Sequence, residues 1–254
     1  MGNRTRAVAT PLPAQQREVW KISEKVAFQL ARDIVAGGMV EGDHLPREAD
    51  LVEHYGVSRE SIREALRLLE AQGMVSIRRG PGGGPFVGRA ESSNLARTMT
   101  LYFHLSGSTY DELLHAWFDL EPGVAGRAAA NPDREEVARL MTPHLTRFDD
   151  GGDRACYMEH SNGLHFALSA LDPNRVLRMI VAAVGDIIRT HVILAIDPFE
   201  IRELIDDDHR AIAEAVLDGD VEAAREAMRH HIAELDPVYR AHWDGSLWDL
   251  VAWK

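Results

Sequence analysis

Cysteine is almost missing from this chain of 254 residues: Cys156 stands alone. No disulfide can form within the chain, which fits a reducing cytoplasm. Long apolar runs are missing too. The best of them, Val176 to Ile188, is interrupted by Arg178 and Asp186 and is too short to span a bilayer. Arg4 and Arg6 are followed by no apolar segment, so no secretory signal is read at the start. A cytoplasmic protein is expected. An excess of positive charge is absent as well, the net charge being −12.

That deficit is unevenly spread. Residues 1–90 hold 13 Lys and Arg against 11 Asp and Glu, whereas the remainder holds 15 against 29. The first part can approach a polyanion and the second is repelled by one, a division that suits a DNA-facing module joined to an acidic module. Strand-like alternation is also scarce. It is confined to Val75-Ser76-Ile77-Arg78 and Phe86-Val87, on either side of a glycine-rich turn from Gly80 to Pro85.

What is present is helical spacing. Residues 1–16 have no periodicity and read as a disordered tail. Ile22, Val26, Leu30 and Ile34 fall on one helical face, closed by Gly37-Gly38. Pro46 opens a short amphipathic segment, Gly56 breaks it and Ser58 starts another. These elements and the ribbon predict a winged helix-turn-helix over 17–88. Residues 89–95, small and polar, read as a linker. Beyond it, apolar residues recur at helical spacing, as in Leu113, Leu114 and Trp117 or Ile205, Ile212 and Val216. Breaks fall at Asn131-Pro132, Gly151-Gly152, Asp172-Pro173, Asp197-Pro198 and Asp218-Gly219. The fold class is therefore mainly α, with a small β-ribbon and an all-helical antiparallel bundle of six or seven helices over 96–240. A tail, 241–254, carries Leu247, Trp248, Leu250, Val251 and Trp253 at helical spacing and is expected to pack on its own bundle or on a partner subunit.

The segment after Ser58 bears Arg59, Arg63 and Arg67 on one stripe, opposite Ile62, Leu66 and Leu69. A guanidinium fork pairs with O6 and N7 of guanine together. Arg59 and Arg63 sit where a recognition helix reaches deepest, while Arg47 and Arg67 are placed for phosphates. Ser58 and Ser61 can donate to phosphate or base edges. Arg79 and Gly80, at the turn, can follow the adjacent minor groove.

The run Leu45-Pro46-Arg47-Glu48, Gly56-Val57-Ser58-Arg59, Ile62-Arg63-Glu64-Ala65-Leu66, Gly73-Met74-Val75, Arg79-Gly80 and Phe86-Val87 resembles the GntR family of bacterial transcriptional regulators over residues 19–88. The extra Pro-Gly-Gly residues lengthen the wing. The resemblance implies base contacts by Arg59 and Arg63, a wing tip at Arg79 and Gly80, and homodimers on pseudo-palindromic operators.

Ten of the twelve histidines follow residue 90. His165, His209 and His231 fall on inward stripes of three different helices, and imidazoles converging inside a bundle can bind Zn²⁺, Ni²⁺ or Mn²⁺. A core histidine satisfied by a carbonyl or carboxylate is the plain alternative. The segments around Leu164-His165, Asp208-His209 and His231-Ile232 resemble the FadR-type ligand-binding domain. That resemblance implies a metal on these three histidines and on an aspartate or asparagine four residues before the first, where this chain has Ser161. Asn162, Glu159, water or the effector remain candidates for the fourth ligand, and a metal-free site remains open. It also implies an arginine one turn before Glu121, where this chain has Trp117. Arg189 could replace it, and Arg127 reads as a surface residue. Trp117, Glu121, Ser161 and Arg189 are thus the candidate effector contacts, and a Trp in the pocket implies a bulkier or less polar effector than a small hydroxy acid.

The function expected is a sequence-specific DNA-binding regulator controlled by a small organic acid or acyl effector. A metal-dependent hydrolase on the helical bundle, using an open position on the ion, and a bundle serving only dimerisation are the rival readings.

Overall fold

The computed structural model describes residues 21–191, 199, 202–242 and 247–253. The expected disordered tail over 1–16 and the break at Asp197-Pro198 lie outside them. The chain divides into two units between Glu91 and Ser92, each considered by itself.

In the first unit α1 (Ile22–Ala36), α2 (Glu48–Tyr55) and α3 (Arg59–Ala71) precede a two-stranded antiparallel ribbon, β1 (Val75–Arg78) and β2 (Gly84–Val87). Gly56 closes α2 with φ 64°, a left-handed turn that a side chain would resist. The Ser58 hydroxyl caps α3 by accepting from the Ser61 N–H at 3.1 Å. The inward faces pool Val26, Leu30, Leu51, Ile62, Leu66 and Leu69 into one apolar cluster with Val75 and Val87. These elements and the ribbon form the winged helix-turn-helix expected.

The second unit is all helical: α4 (Ser92–Ser106), α5 (Tyr110–Ala129), α6 (Arg134–Met141), a 3₁₀ turn (Thr142–His144), α7 (Arg154–Leu171), α8 (Arg175–His191), α9 (Arg202–Asp218) and α10 (Val221–His242). Helix α4 starts inside the stretch expected as linker, because Leu95, Ala96, Met99 and Phe103 find apolar partners. Two apolar clusters fill the unit. One gathers Leu114, Trp117, Ile187, Ile188, Leu235 and Tyr239. The other gathers Val124, Met141, Leu164, Leu168, Ile212 and Met228.

The described part of the tail is a turn followed by irregular backbone with one bridge from Leu250 to Thr109, not a helix. Leu247 and Val251 are buried in the first cluster, whereas Trp248 and Trp253 are exposed. The reason lies at the start of α5, whose first N–H groups have no partner within the helix. The Asp111 N–H donates to the Leu247 carbonyl at 2.8 Å and the Tyr110 N–H to the Asp249 carbonyl at 3.2 Å. A helix would spend most of its carbonyls on its own N–H groups.

Candidate DNA interface and metal centre

Helix α3 turns Ile62, Ala65, Leu66 and Leu69 inward, so the arginine stripe faces solvent. Arg47, Arg59, Arg63, Arg67, Arg79 and Gly80 are all exposed. Arg63 donates from Nε to Glu48 Oε2 on α2 at 2.9 Å, and Arg67 lies 3.7 Å from Glu64. Arg47, Arg59 and Arg79 make no ion pair among the described residues. Ser58 and Ser61 share a hydrogen bond between their hydroxyls at 2.9 Å, which engages one of the two hydroxyl protons. Arg78 lies over the Phe86 ring, 4.2 Å from its centroid, which leaves Arg79 and Gly80 (φ 95°) at the tip of the turn.

In the second unit α7, α9 and α10 bring His165, His209 and His231 together, with one ligand-capable nitrogen from each within 4.8 Å of the others. His209 Nε2 lies 3.3 Å from His231 Nε2. The other nitrogen of two rings is held by a buried carboxylate. His165 Nδ1 is 2.9 Å from Glu121 Oε2, and His231 Nδ1 is 3.1 Å from Asp208 Oδ2. A carboxylate on Nδ1 keeps the proton there and frees the Nε2 lone pair, the arrangement that metal-ligating histidines use. Burial first, and then the neighbouring imidazoles, push His209 well below the usual histidine range. Burial also lowers His231, against the pull of Asp208. Neutral imidazoles with converging lone pairs are the chemistry of a cation site, and these three fit one.

Trp117 donates its indole N–H to Glu121 Oε1 at 2.8 Å. Its ring centroid lies 5.2 Å from that of His165. With Asn162, Phe166, Ser169 and Val181 it bounds a cavity of about 10 Å³, barely one water. So small a volume does not support the expected bulkier effector. Ser161 is half-buried and borders neither that cavity nor the neighbouring groove. Asn162 is buried, and its amide donates to the Met158 carbonyl at 2.8 Å. Arg189 does not border the Trp117 cavity. It lies 3.6 Å from Asp186 and borders an outer groove of about 950 Å³ with Arg154, Glu159, Asn162 and Phe166. Asn162 and Phe166 border both spaces and so link the groove to the histidines.

Arg127 is not the surface residue expected. It donates from Nε to Asp172 at 2.7 Å, and Asp172 is fully buried at the end of α7. Sequence reasoning also missed Asp208 as a partner of His231, although it directly precedes His209.

A solvent-facing arginine helix with a wing, joined in one chain to a helical unit with a buried imidazole cluster, defines a DNA-binding transcriptional regulator with a sensor domain. The comparisons agree. The family described as "Bacterial regulatory proteins, gntR family" matches residues 22–84, and the FCD domain matches residues 112–234. The chain belongs to the GntR family, and its FCD domain is consistent with the FadR subfamily. It is 25% identical over 253 residues to the HTH-type transcriptional repressor NanR of Enterobacter sp. (strain 638), covering 96% of this chain and 95% of the relative. It is 26% identical to the galactonate operon transcriptional repressor of Escherichia coli (strain K12), over 83% of this chain and 93% of the relative. Among solved structures, Streptococcus agalactiae GntR shares the fold with a TM-score of 0.65 and 22% identity, over 86% of this chain and 99% of that one. The relatives are regulators rather than enzymes, which removes the hydrolase reading. No described helix is long and apolar enough to cross a membrane.

Proposed function

We propose that this regulator acts in the cytoplasm as a homodimer on a pseudo-palindromic operator, and that a small carboxylate effector, bound beside a divalent metal on His165, His209 and His231, sets its operator affinity. The observation that carries the reading is the histidine triad with its two outer carboxylates, in a chain whose other unit displays unpaired Arg59. The galactonate in the name of one relative supports a carboxylate as the effector class. A bound metal would supply Lewis acidity toward such a carboxylate. Arg59 and Arg63 would read base edges, while Arg47, Ser58, Ser61, Arg67, Arg79 and Gly80 would hold phosphates and the minor groove. The effector would enter by the outer groove past Arg189, Asn162 and Phe166 toward Trp117, Glu121 and His165, with Ser161 one turn from the triad on α7. For a useful switch the two DNA-binding states must differ by roughly 1–3 kcal/mol in effector binding, about 5- to 150-fold.

The test starts from a pool of random duplexes selected on the full-length protein. Anisotropy of the selected duplex is then followed with sugar acids present, in zinc and in EDTA. A palindromic consensus, a two-to-one protein-to-duplex complex and at least a fivefold, metal-dependent shift by one carboxylate are expected. Equal affinity for selected and random DNA at every salt concentration would refute the DNA assignment, and shifts indifferent to EDTA would refute the metal.

A further inference from the structure

Beside the triad lies a second set of polar side chains that the proposed function does not use. Among the described residues His144 Nδ1 is buried with no hydrogen-bond partner, while the buried Asp150 Oδ2, Arg202 Nε and Asp206 Oδ2 are held by ion pairs alone. Protein interiors keep few buried polar atoms without a partner, and His144 Nδ1 calls for an explanation. These four are not scattered. Helix α9 carries Arg202, Asp206 and His209 about one turn apart, so its polar face leads from its first residue to the triad.

At the outer end Arg202 pairs with Asp150, donates to the Phe148 carbonyl at 2.8 Å and lies 3.6 Å from Asp206. Tyr157 donates its hydroxyl to Asp206 Oδ1 at 3.0 Å, and the exposed Arg147 approaches Oδ2 at 3.6 Å. Further in, His160 stacks flat on Phe148 with centroids 4.2 Å apart. The His144 ring lies 4.9 Å from His160. Gly163 on α7 faces His144, the place of a Cβ there lying 3.8 Å from His144 Cε1, in ordinary contact. Burial, and then His160 and His165, push His144 down to about 4, and His209 feels both His144 and His160. The two sets of imidazoles are therefore neighbours.

Two of the triad are almost fully covered, His209 being 5% and His231 1% exposed, while the His165 side chain is 12% exposed. A buried metal site needs an entry path. We propose that His144 and His160 form a transient site for a divalent transition-metal ion on its way from Asp150 and Asp206 to His165, His209 and His231. This rests on reading the triad as a metal centre. The donor types suit a passing cation, being neutral imidazole nitrogens behind carboxylate oxygens. Arg147 and Arg202 offset the two carboxylates, so the mouth does not trap a cation.

Full-length protein stripped with EDTA is mixed with Co²⁺ alone in a stopped-flow spectrometer. Wild type is compared with His144→Gln, His160→Phe and the double variant, each checked for helix content by circular dichroism. His160→Phe keeps the stack on Phe148 and carries the test if His144→Gln misfolds. Association and dissociation should both slow at least tenfold, leaving the equilibrium affinity within twofold of wild type, while His209→Ala loses affinity itself. Unchanged rates in a folded variant overturn the route and leave the triad reading intact. Faster dissociation with lower affinity would make these histidines part of the final site and equally overturn a transient one. No Co²⁺ uptake by wild type overturns both readings.

Discussion

Glu121 offers a prediction with two opposite signs. Its carboxylate is 1% exposed and is held by two donors, the Trp117 indole at 2.8 Å and His165 Nδ1 at 2.9 Å. No guanidinium or ammonium group pairs with it among the described residues. Glu121→Gln keeps the shape and the acceptor for Trp117, but turns an amide NH₂ toward His165. The imidazole must then present a lone pair at Nδ1 and carry its proton on Nε2, the nitrogen needed by a metal. Loss of such an outer partner costs about 10- to 100-fold in metal affinity, or about 1.4–2.7 kcal/mol. The metal-free protein should gain, because a neutral amide is cheaper to bury than a carboxylate. Each kcal/mol gained should raise the melting temperature by roughly 2–4 °C for a chain of this size. Calorimetric titration of stripped protein with Zn²⁺, and melting with and without metal, read both signs. Unchanged zinc affinity, or weaker affinity accompanied by a lower melting temperature of the stripped protein, would refute the reasoning.

Arg63→Ala should cut the preference for selected over random DNA by about 5- to 150-fold, the value of one bidentate base contact at roughly 1–3 kcal/mol. Arg47→Ala should weaken both duplexes alike. The exposed pair of Arg63 with Glu48 is worth at most about 1 kcal/mol and does not obscure the difference in an anisotropy assay. Arg127→Met strands the Asp172 carboxylate, which is fully buried, and should cost roughly 3 kcal/mol of stability; adding Asp172→Asn should restore most of it in urea melts. The stripped protein should lose stability on acidification. The folded His144 is held down at about 4 against about 6.5 in an unfolded chain, so the unfolded state takes up the proton first. Stability is fully present above pH 6.5 and is lost as pH falls toward 4, by up to about 3 kcal/mol for this residue. His144→Leu should flatten that part of the profile, and an unchanged profile would count against the burial argument.

The DNA unit was legible because each of its signals is local. Cap, left-handed glycine and apolar stripe lie within one turn of one another in α2 and α3, and the ribbon needs only the alternation around a glycine turn. In the second unit legibility fell with the length of the apolar face. Helix α6 buries only Val137 and Met141, too few to show a period among its charges. Helix α4 opens on Ser92-Ser93-Asn94, which reads as linker until Leu95 and Met99 are seen to pack. The tail misled because Leu247 and Val251 repeat at helical spacing, while the deciding partners, the N–H groups of Tyr110 and Asp111 at the start of α5, lie some 140 residues earlier.

The site followed the same rule at greater distance. That three imidazoles point inward could be read from stripes, since each shares a face with apolar neighbours on its own helix. What holds them could not. Glu121 meets His165 across 44 residues and Asp208 meets His231 across 23, and no periodicity encodes a pairing between helices. Packing explains why these polar groups meet where they do. On α5, Glu121 lies between Trp117 of one apolar cluster and Val124 of the other. On α9, His209 lies between Ile205 and Ile212, and on α10, His231 lies between Met228 and Leu235, in each case one residue from either cluster. The polar centre is thus the seam between two cores. A seam cannot be closed with apolar side chains alone once carboxylates stand in it. Burying Glu121 and Asp208 requires donors there, and imidazoles supply them on one nitrogen while keeping the other for a ligand.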